Sequence, residues 1–306
     1  AVYFVGDSTA TILNCTFSKN RATATSATGV VTQVNGGGLL IVPFSSTTGS
    51  LSVGISNSTF MGNSVSGSGA GVYVQSSTGT GPTLTVQGGA FQANTADVNG
   101  GGFHITSTTT IVRFADFSRN VASNGAGVFA SATALSVSHT SMKLNTATES
   151  GGALYMDDDA SVLLCNQSSL VGNVASDGGA FALLQAEAFV SGTRFVRNEA
   201  NGDQAKGGAA TLRDGVKWIR PSWSGLMPNR FTANSAGNAA GDTGWGGALY
   251  LSNSSYVVRG GATGPNGVAN GTRRALSESN ASDAYGDYFG ENIATSAGGA
   301  LFWNFD

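Results

Sequence analysis

The sequence predicts an all-β solenoid, a parallel β-helix of about nine coils with loop insertions, and three observations predict it. A two-part motif recurs nine times: a large apolar residue with an Asn three positions later, then a Gly that opens an apolar stretch. The copies are unevenly spaced, successive apolar residues lying 43, 31, 26, 25, 28, 25, 36 and 58 positions apart. Helical repeats hold a fixed length, whereas a unit near 25 residues that tolerates large inserts suits short stacked strands with loops at the corners. Finally, the apolar residues of each copy alternate, as a half-buried strand requires.

Each motif position has a physical reason. The first half reads Phe17/Asn20, Phe60/Asn63, Phe91/Asn94, Phe117/Asn120, Met142/Asn145, Leu170/Asn173, Phe195/Asn198, Phe231/Asn234 and Phe289/Asn292. Stacked about 4.8 Å apart, such amides form an Asn ladder along the axis, while the Phe column fills the interior beside it. The expectation places each Asn at a bend, tolerating a left-handed conformation and bonding its own backbone. The second half opens on Gly36, Gly69, Gly100, Gly125, Gly151, Gly178, Gly207, Gly246 and Gly298, where positive φ or close backbone packing excludes a side chain. Alternating pairs follow, among them Leu39/Ile41, Phe103/Ile105, Leu154/Met156 and Leu249/Leu251. A second alternation precedes the next Phe, as in Leu84/Val86 and Leu163/Cys165. Each coil therefore supplies at least two inward-facing strands, with a third around the Phe.

These residues resemble the GGA-[ILV] and F-x-x-N repeats of the chlamydial polymorphic outer-membrane proteins. Gly151-Gly152-Ala153-Leu154 and Phe195-Val196-Arg197-Asn198 match the two halves letter for letter. Gly69-Ala70-Gly71-Val72 and Gly125-Ala126-Gly127-Val128 keep the smallness but not the order. The resemblance covers nearly the whole chain. It implies a right-handed parallel β-helix on a surface or secreted protein, commonly an adhesin or an autotransporter passenger.

Repeats running end to end make 1–306 one solenoid segment, with a regular body at 53–212 and an insertion-rich region at 213–286. The chain opens on Ala1 without a signal or cap and reads as a segment of a longer protein. Charged residues are only 11%, against roughly 25% in ordinary soluble domains; the outer faces are rich in hydroxyl and methyl groups instead. A net charge of −3 argues against a nucleic-acid partner, and no run approaches the ~18 apolar residues of a membrane span. Cys15 and Cys165 lie five copies apart, about 24 Å at strand spacing, beyond disulfide reach. Cys165 falls in the inward column of Val86, Val112, Val137 and Val190 and reads as a small buried hydrophobe. Glycosylation sequons occur at Asn14, Asn57, Asn166, Asn253, Asn270 and Asn280. With 23 Asn in the chain, composition alone accounts for that number. None falls in the ladder.

Two surfaces are candidates for function. Inserts at 213–226, 235–245 and 252–286 carry Arg213, Lys217, Trp218, Arg220, Trp223, Trp245, Arg273 and Arg274. Loops on a rigid scaffold commonly hold sites, and Arg and Trp suit a protein or glycan interface. The first and last inserts leave the coil at equivalent corners of successive turns. Trp218 and Trp223 either present that surface or pin the loop to the coil. The second surface is the outward strand position, read as Tyr73, His104, Phe129, Tyr155, Tyr250 and Phe302. Its first four members stack in consecutive coils, either as an exposed stripe for association or as rings that only stiffen the sheet.

Enzymes are known on this architecture, so a polysaccharide lyase or hydrolase is the alternative. Hydrolysis needs paired carboxylates about a sugar bond. Asp157-Asp158-Asp159 is the only acidic cluster, and neighbouring copies put no acid at its position. It reads as a solvated turn. The expectation is a non-enzymatic extracellular or cell-surface module without cofactor or metal, an adhesin or a rigid element of an appendage or filament. Its partners would be other protein chains, met laterally or end to end, or surface glycans.

Overall fold

The computed structural model describes residues 2–5, 9–23, 34–42, 51–76, 81–158, 161–220, 227–237, 243–258 and 287–304. In it the copies superpose as coils of a right-handed parallel β-helix. Each coil gives one strand to each of four parallel sheets, here A to D. In one regular coil these are Leu154–Asp157 (A), Val162–Asn166 (B), Ser169–Val171 (C) and Val174–Ala175 (D). Among the described residues sheet A has 10 strands and the others 9 each. Ten stacked strands span about 43 Å at the usual ~4.8 Å step. A further parallel pair, Gln204–Lys206 with Thr243–Trp245, extends two late coils.

The sequence reading needs three corrections here. The expected three strands per coil are four, because sheet D is built from strands as short as the two residues Thr95–Ala96. Two residues are too few to show a period. Sheet A also begins one strand earlier, at Val2–Val5, which pairs in register with Leu39–Val42. Third, the insert read as 213–226 contains the sheet-B strand Lys217–Arg220, and the one read as 252–286 contains Ser255–Val258.

The core is the expected set of files. Phe60, Phe91, Phe117, Phe195 and Phe231 are fully buried. Phe17, Phe60, Phe91 and Phe117 stack with centroids 4.6, 5.0 and 4.8 Å apart. Phe103 of sheet A meets Phe91 and Phe117 edge-on at 4.4 and 4.9 Å, the geometry that ring quadrupoles favour. Burying each such side chain stabilises by about 1.5–3 kcal/mol.

The Asn ladder superposes as well. Asn63, Asn94, Asn120, Asn145, Asn173, Asn198 and Asn234 are fully buried, and the end members Asn20 and Asn292 are half-buried. Asn145 Oδ1 accepts from Asn120 N and Nδ2 at 3.1 and 3.0 Å. Its Nδ2 donates to Asn173 Oδ1 and to the Phe117 carbonyl, both at 3.0 Å. Asn94 repeats the pattern with Asn120 Oδ1 and the Phe60 carbonyl, each at 3.0 Å. Asn234 does so with Asn292 Oδ1 and the Phe195 carbonyl, at 2.9 and 3.0 Å. The remaining members are joined in the same way.

Every ladder bond therefore crosses between coils, which corrects the expectation that each Asn bonds its own backbone. The left-handed conformation is also misplaced by one residue. It belongs to the residue before the Asn: Ala93 (φ 53°) before Asn94, Ala233 (φ 54°) before Asn234, Leu144 (φ 56°) before Asn145 and Arg119 (φ 54°) before Asn120. The inward amide cannot also make the turn, so the strain falls on a neighbour whose side chain points outward. The seven buried ladder residues, Asn94 and Asn234 among them, are thus core groups that tie coils together.

Glycine is required where the reading placed it. Gly151 has φ +67°, and a Cβ on Gly152 would stand 2.3 Å from the Gly179 carbonyl. At this corner successive N–H groups all point the same way along the axis. Gly36, Gly37, Gly38 and Leu39 donate to Ser68, Gly69, Ala70 and Gly71 at 3.0, 3.2, 2.8 and 3.0 Å.

Candidate functional site

The outward file of sheet A stacks as expected. Ring centroids of Tyr73, His104, Phe129 and Tyr155 are 4.7, 4.8 and 5.2 Å apart, with planes within 8° of parallel. It is not an exposed stripe, however. Tyr73 is 5% exposed, Phe129 8% and Tyr250 6%; His104, Tyr155 and Phe302 are half-buried. The rings bury one another's faces. The file breaks at Ala182 and Thr211 and resumes as Tyr250 on Phe302, 5.5 Å apart. Burial sets the chemistry of its members. His104 is held down to about 4 by desolvation, so its imidazole is neutral near pH 7. Its Nδ1 has no partner among the described residues, while Nε2 lies 3.2 Å from Thr106 Oγ1. Burial raises Tyr73, and burial followed by the charge of Asp157 raises Tyr155.

The loop surface is not one site. Trp218 is a core residue of sheet B, fully buried against Phe195 and Phe231 at 5.8 and 6.2 Å. Its coil makes room because Ala188 is its register neighbour. Lys217 pairs with Glu187 at 3.2 Å on the outside of the same sheet. Arg213 ends a strand of sheet A and pairs with Asp177. Lys206 Nζ lies 5.8 Å above the Trp245 ring and 5.5 Å above Tyr250. Arg220 ends the strand Lys217–Arg220. Trp223, Arg273 and Arg274 lie outside the described residues.

The equivalence of the corners does hold. Residues 221–229 join sheet B to sheet C in one coil and 259–287 do so in the next. At the root of these connections lies a cleft that the sequence reading missed. It has a volume of about 290 Å³ and is lined by Arg194, Val196, Arg230, Thr232 and Tyr288 on the outer face of sheet C. Arg194, Arg230 and Tyr288 open three consecutive strands and stand in register. The available signal was their shared place immediately before Phe195, Phe231 and Phe289. A second missed feature is the file before each glycine, where Asn124 Oδ1 accepts from Ser150 N at 3.2 Å and Asp177 Oδ1 from Lys206 N at 3.1 Å.

The acidic run behaves in part as a turn. Asp158 is exposed with φ 84°, but burial holds the Asp157 carboxyl above the usual carboxylate range. Asp159 is outside the described residues, among which no group of three His, Cys, Asp or Glu could hold a metal ion. Sequons Asn14, Asn57 and Asn253 are exposed and left-handed, with φ of 52°, 47° and 45°. Asn166 is half-buried and accepts from Ser191 Oγ at 3.0 Å; Asn270 and Asn280 lie outside the described residues. Cys15 is exposed, and burial pushes the Cys165 thiol up to about 11.

Fold and faces together define a right-handed parallel β-helix carrying decorated corners. No protein-family model, curated protein or solved structure matches the chain. The likeness to the polymorphic outer-membrane repeats rests on the motif residues, and the β-helix it implies is present.

Proposed function

We propose that this chain is a non-enzymatic module of the extracellular space or cell surface. It serves as an adhesin, as a rigid element of a surface appendage or filament, or as both. One observation carries the reading: two successive coils leave sheet B at the same corner, after Arg220 and Val258, and re-enter sheet C on paired strands at Arg230 and Tyr288, so that both connections are anchored on neighbouring strands of a stiff rod. A scaffold tied by amide and ring files along its length holds the ends of such connections at fixed spacing. The partners this fits are other protein chains or surface glycans. Exposed Asn14, Asn57 and Asn253 suit a glycosylated protein in that setting. The test replaces residues 259–286 by a short Gly-Ser linker and measures binding to cells and to itself. Retention of all binding by a folded variant removes the reading.

The alternative, a polysaccharide-active enzyme, has one observation in its favour. Asp157 combines a raised carboxyl with Tyr155 two positions away on the outer face of sheet A. Reducing-end release from a panel of polysaccharides, abolished by D157N, would establish it.

A further inference from the structure

We propose that the cleft on sheet C binds an acidic polysaccharide, one bearing sulfate or carboxylate groups, through Arg194, Arg230 and Tyr288. The proposal rests on the contact-module reading and names the ligand class for one face of it.

Like charges opposite each other in register destabilise a sheet. Elsewhere in this file the position holds Thr16, Thr59, Ala90, Ser141 and Ser169, all small and uncharged, and Asp116, which is paired with Lys143. Arg194 and Arg230 break that pattern in adjacent coils, and neither reaches a carboxylate among the described residues. Both are exposed. Two guanidinium forks one strand step apart, about 4.8 Å, present parallel donor pairs that carboxylate and sulfate accept bidentately.

Tyr288 supplies the third wall. Arg230 Cζ lies 5.5 Å from its ring centroid, and the ring lies across Gly290, where a Cβ would stand 2.4 Å from the Tyr288 hydroxyl. Glycine thus leaves room for the ring to lie down beside the arginines. Half exposed at 50%, it offers a platform for the apolar face of a sugar. Val196 and Thr232 complete the cleft. A net charge of −3 supplies no broad positive field for nucleic acid. The recognition is therefore local: paired charges beside an aromatic plate, facing repeated anions on a sugar chain.

The experiment measures binding of dextran sulfate and of polygalacturonate to the native chain, with neutral dextran as reference. The native chain binds the acidic polymers and not dextran, and binding weakens several-fold as salt rises and the Debye length shrinks. R194Q/R230Q loses at least tenfold in affinity with an undiminished melting temperature, and G290V, which displaces the ring, loses several-fold. R113Q/R119Q removes as much charge elsewhere and binds as the native chain does. Equal binding by native and R194Q/R230Q overturns the proposal, as does an equal loss in R113Q/R119Q. Either result leaves the contact module standing, since the deletion of 259–286 tests that separately.

Discussion

Replacing Asn145 by Ala should remove one rung of the ladder and nothing else of size. Its side chain is fully buried and saturated with four hydrogen bonds. N145A strips the acceptor from two buried donors of Asn120, its N–H and one Nδ2–H. It also takes a donor from the Phe117 carbonyl. Each orphaned buried group costs about 1–3 kcal/mol, so the two donors alone predict a loss of about 2–6 kcal/mol. N20A is the internal comparison. Asn20 is half-buried, and without its amide Asn63 Oδ1 still accepts the Asn20 backbone N–H at 3.0 Å; about 1 kcal/mol is expected. Solenoids open locally, so urea denaturation should be paired with hydrogen exchange. Protection should fall first in peptides covering residues 117–120 and 142–145. If N145A costs no more than N20A, or if protection falls evenly along the chain, the ladder is not what ties the coils.

G152A should prevent folding or cost at least about 4 kcal/mol, because the Gly179 and Val174 carbonyls lie 2.3 and 2.6 Å from the new Cβ. G215A, strained by φ +92° but with nothing within 4 Å, should cost only about 1 kcal/mol in the same denaturation assay. W218A should lose about 3–5 kcal/mol by calorimetry or urea titration, as deletion of a fully buried Trp does. W218F should lose far less, because it also removes an indole N–H that has no partner among the described residues. His104 titrates near 4 when folded and near 6.5 when unfolded, so the unfolded chain binds more protons between those values. Its contribution is complete above pH 6.5 and is lost as pH falls to 4, up to about 3 kcal/mol. Urea midpoints against pH should show this, and H104F should flatten the profile. One thiol, Cys15, should react with a maleimide in the native chain; Cys165 should react only after denaturation.

Legibility in the sequence followed the constraint each position bears. Asn145 and Gly151 stand in files where one residue type satisfies the geometry, and Phe117 in a file that takes only large apolar residues, so repetition exposed the fold. What the Asn file does was less legible: Asn94 and Asn234 each follow an Ala, and nothing in that pair of letters says which of the two makes the turn. Sheet D escaped because Thr95–Ala96 shows no period and its inward Ala96 is too small to signal a core. Trp218 does not show itself as a core residue in the sequence because the small residue that makes room for it, Ala188, lies thirty positions earlier. The ring file was legible as a stack but not as buried, since alternation gives the face of a side chain and not what flanks it. The pair Arg194 and Arg230 was hidden by the 36-residue spacing of those coils, although both precede the repeat Phe. Positions free of the fold carry no periodic signature, and a contact surface is made of such positions.

The one-way hydrogen bonds of the glycine corner also give the rod an electrical sense. In an ordinary parallel sheet successive peptide groups alternate and their dipoles largely cancel. From Gly36 to Leu39, and again from Gly69 to Val72, they add instead, each N–H aimed at the following coil. The Asn amides point the same way. As in a helix, such a column acts as partial charges of opposite sign at its two ends. Two rods lying side by side would therefore attract when their coils run in opposite senses and repel when they run together.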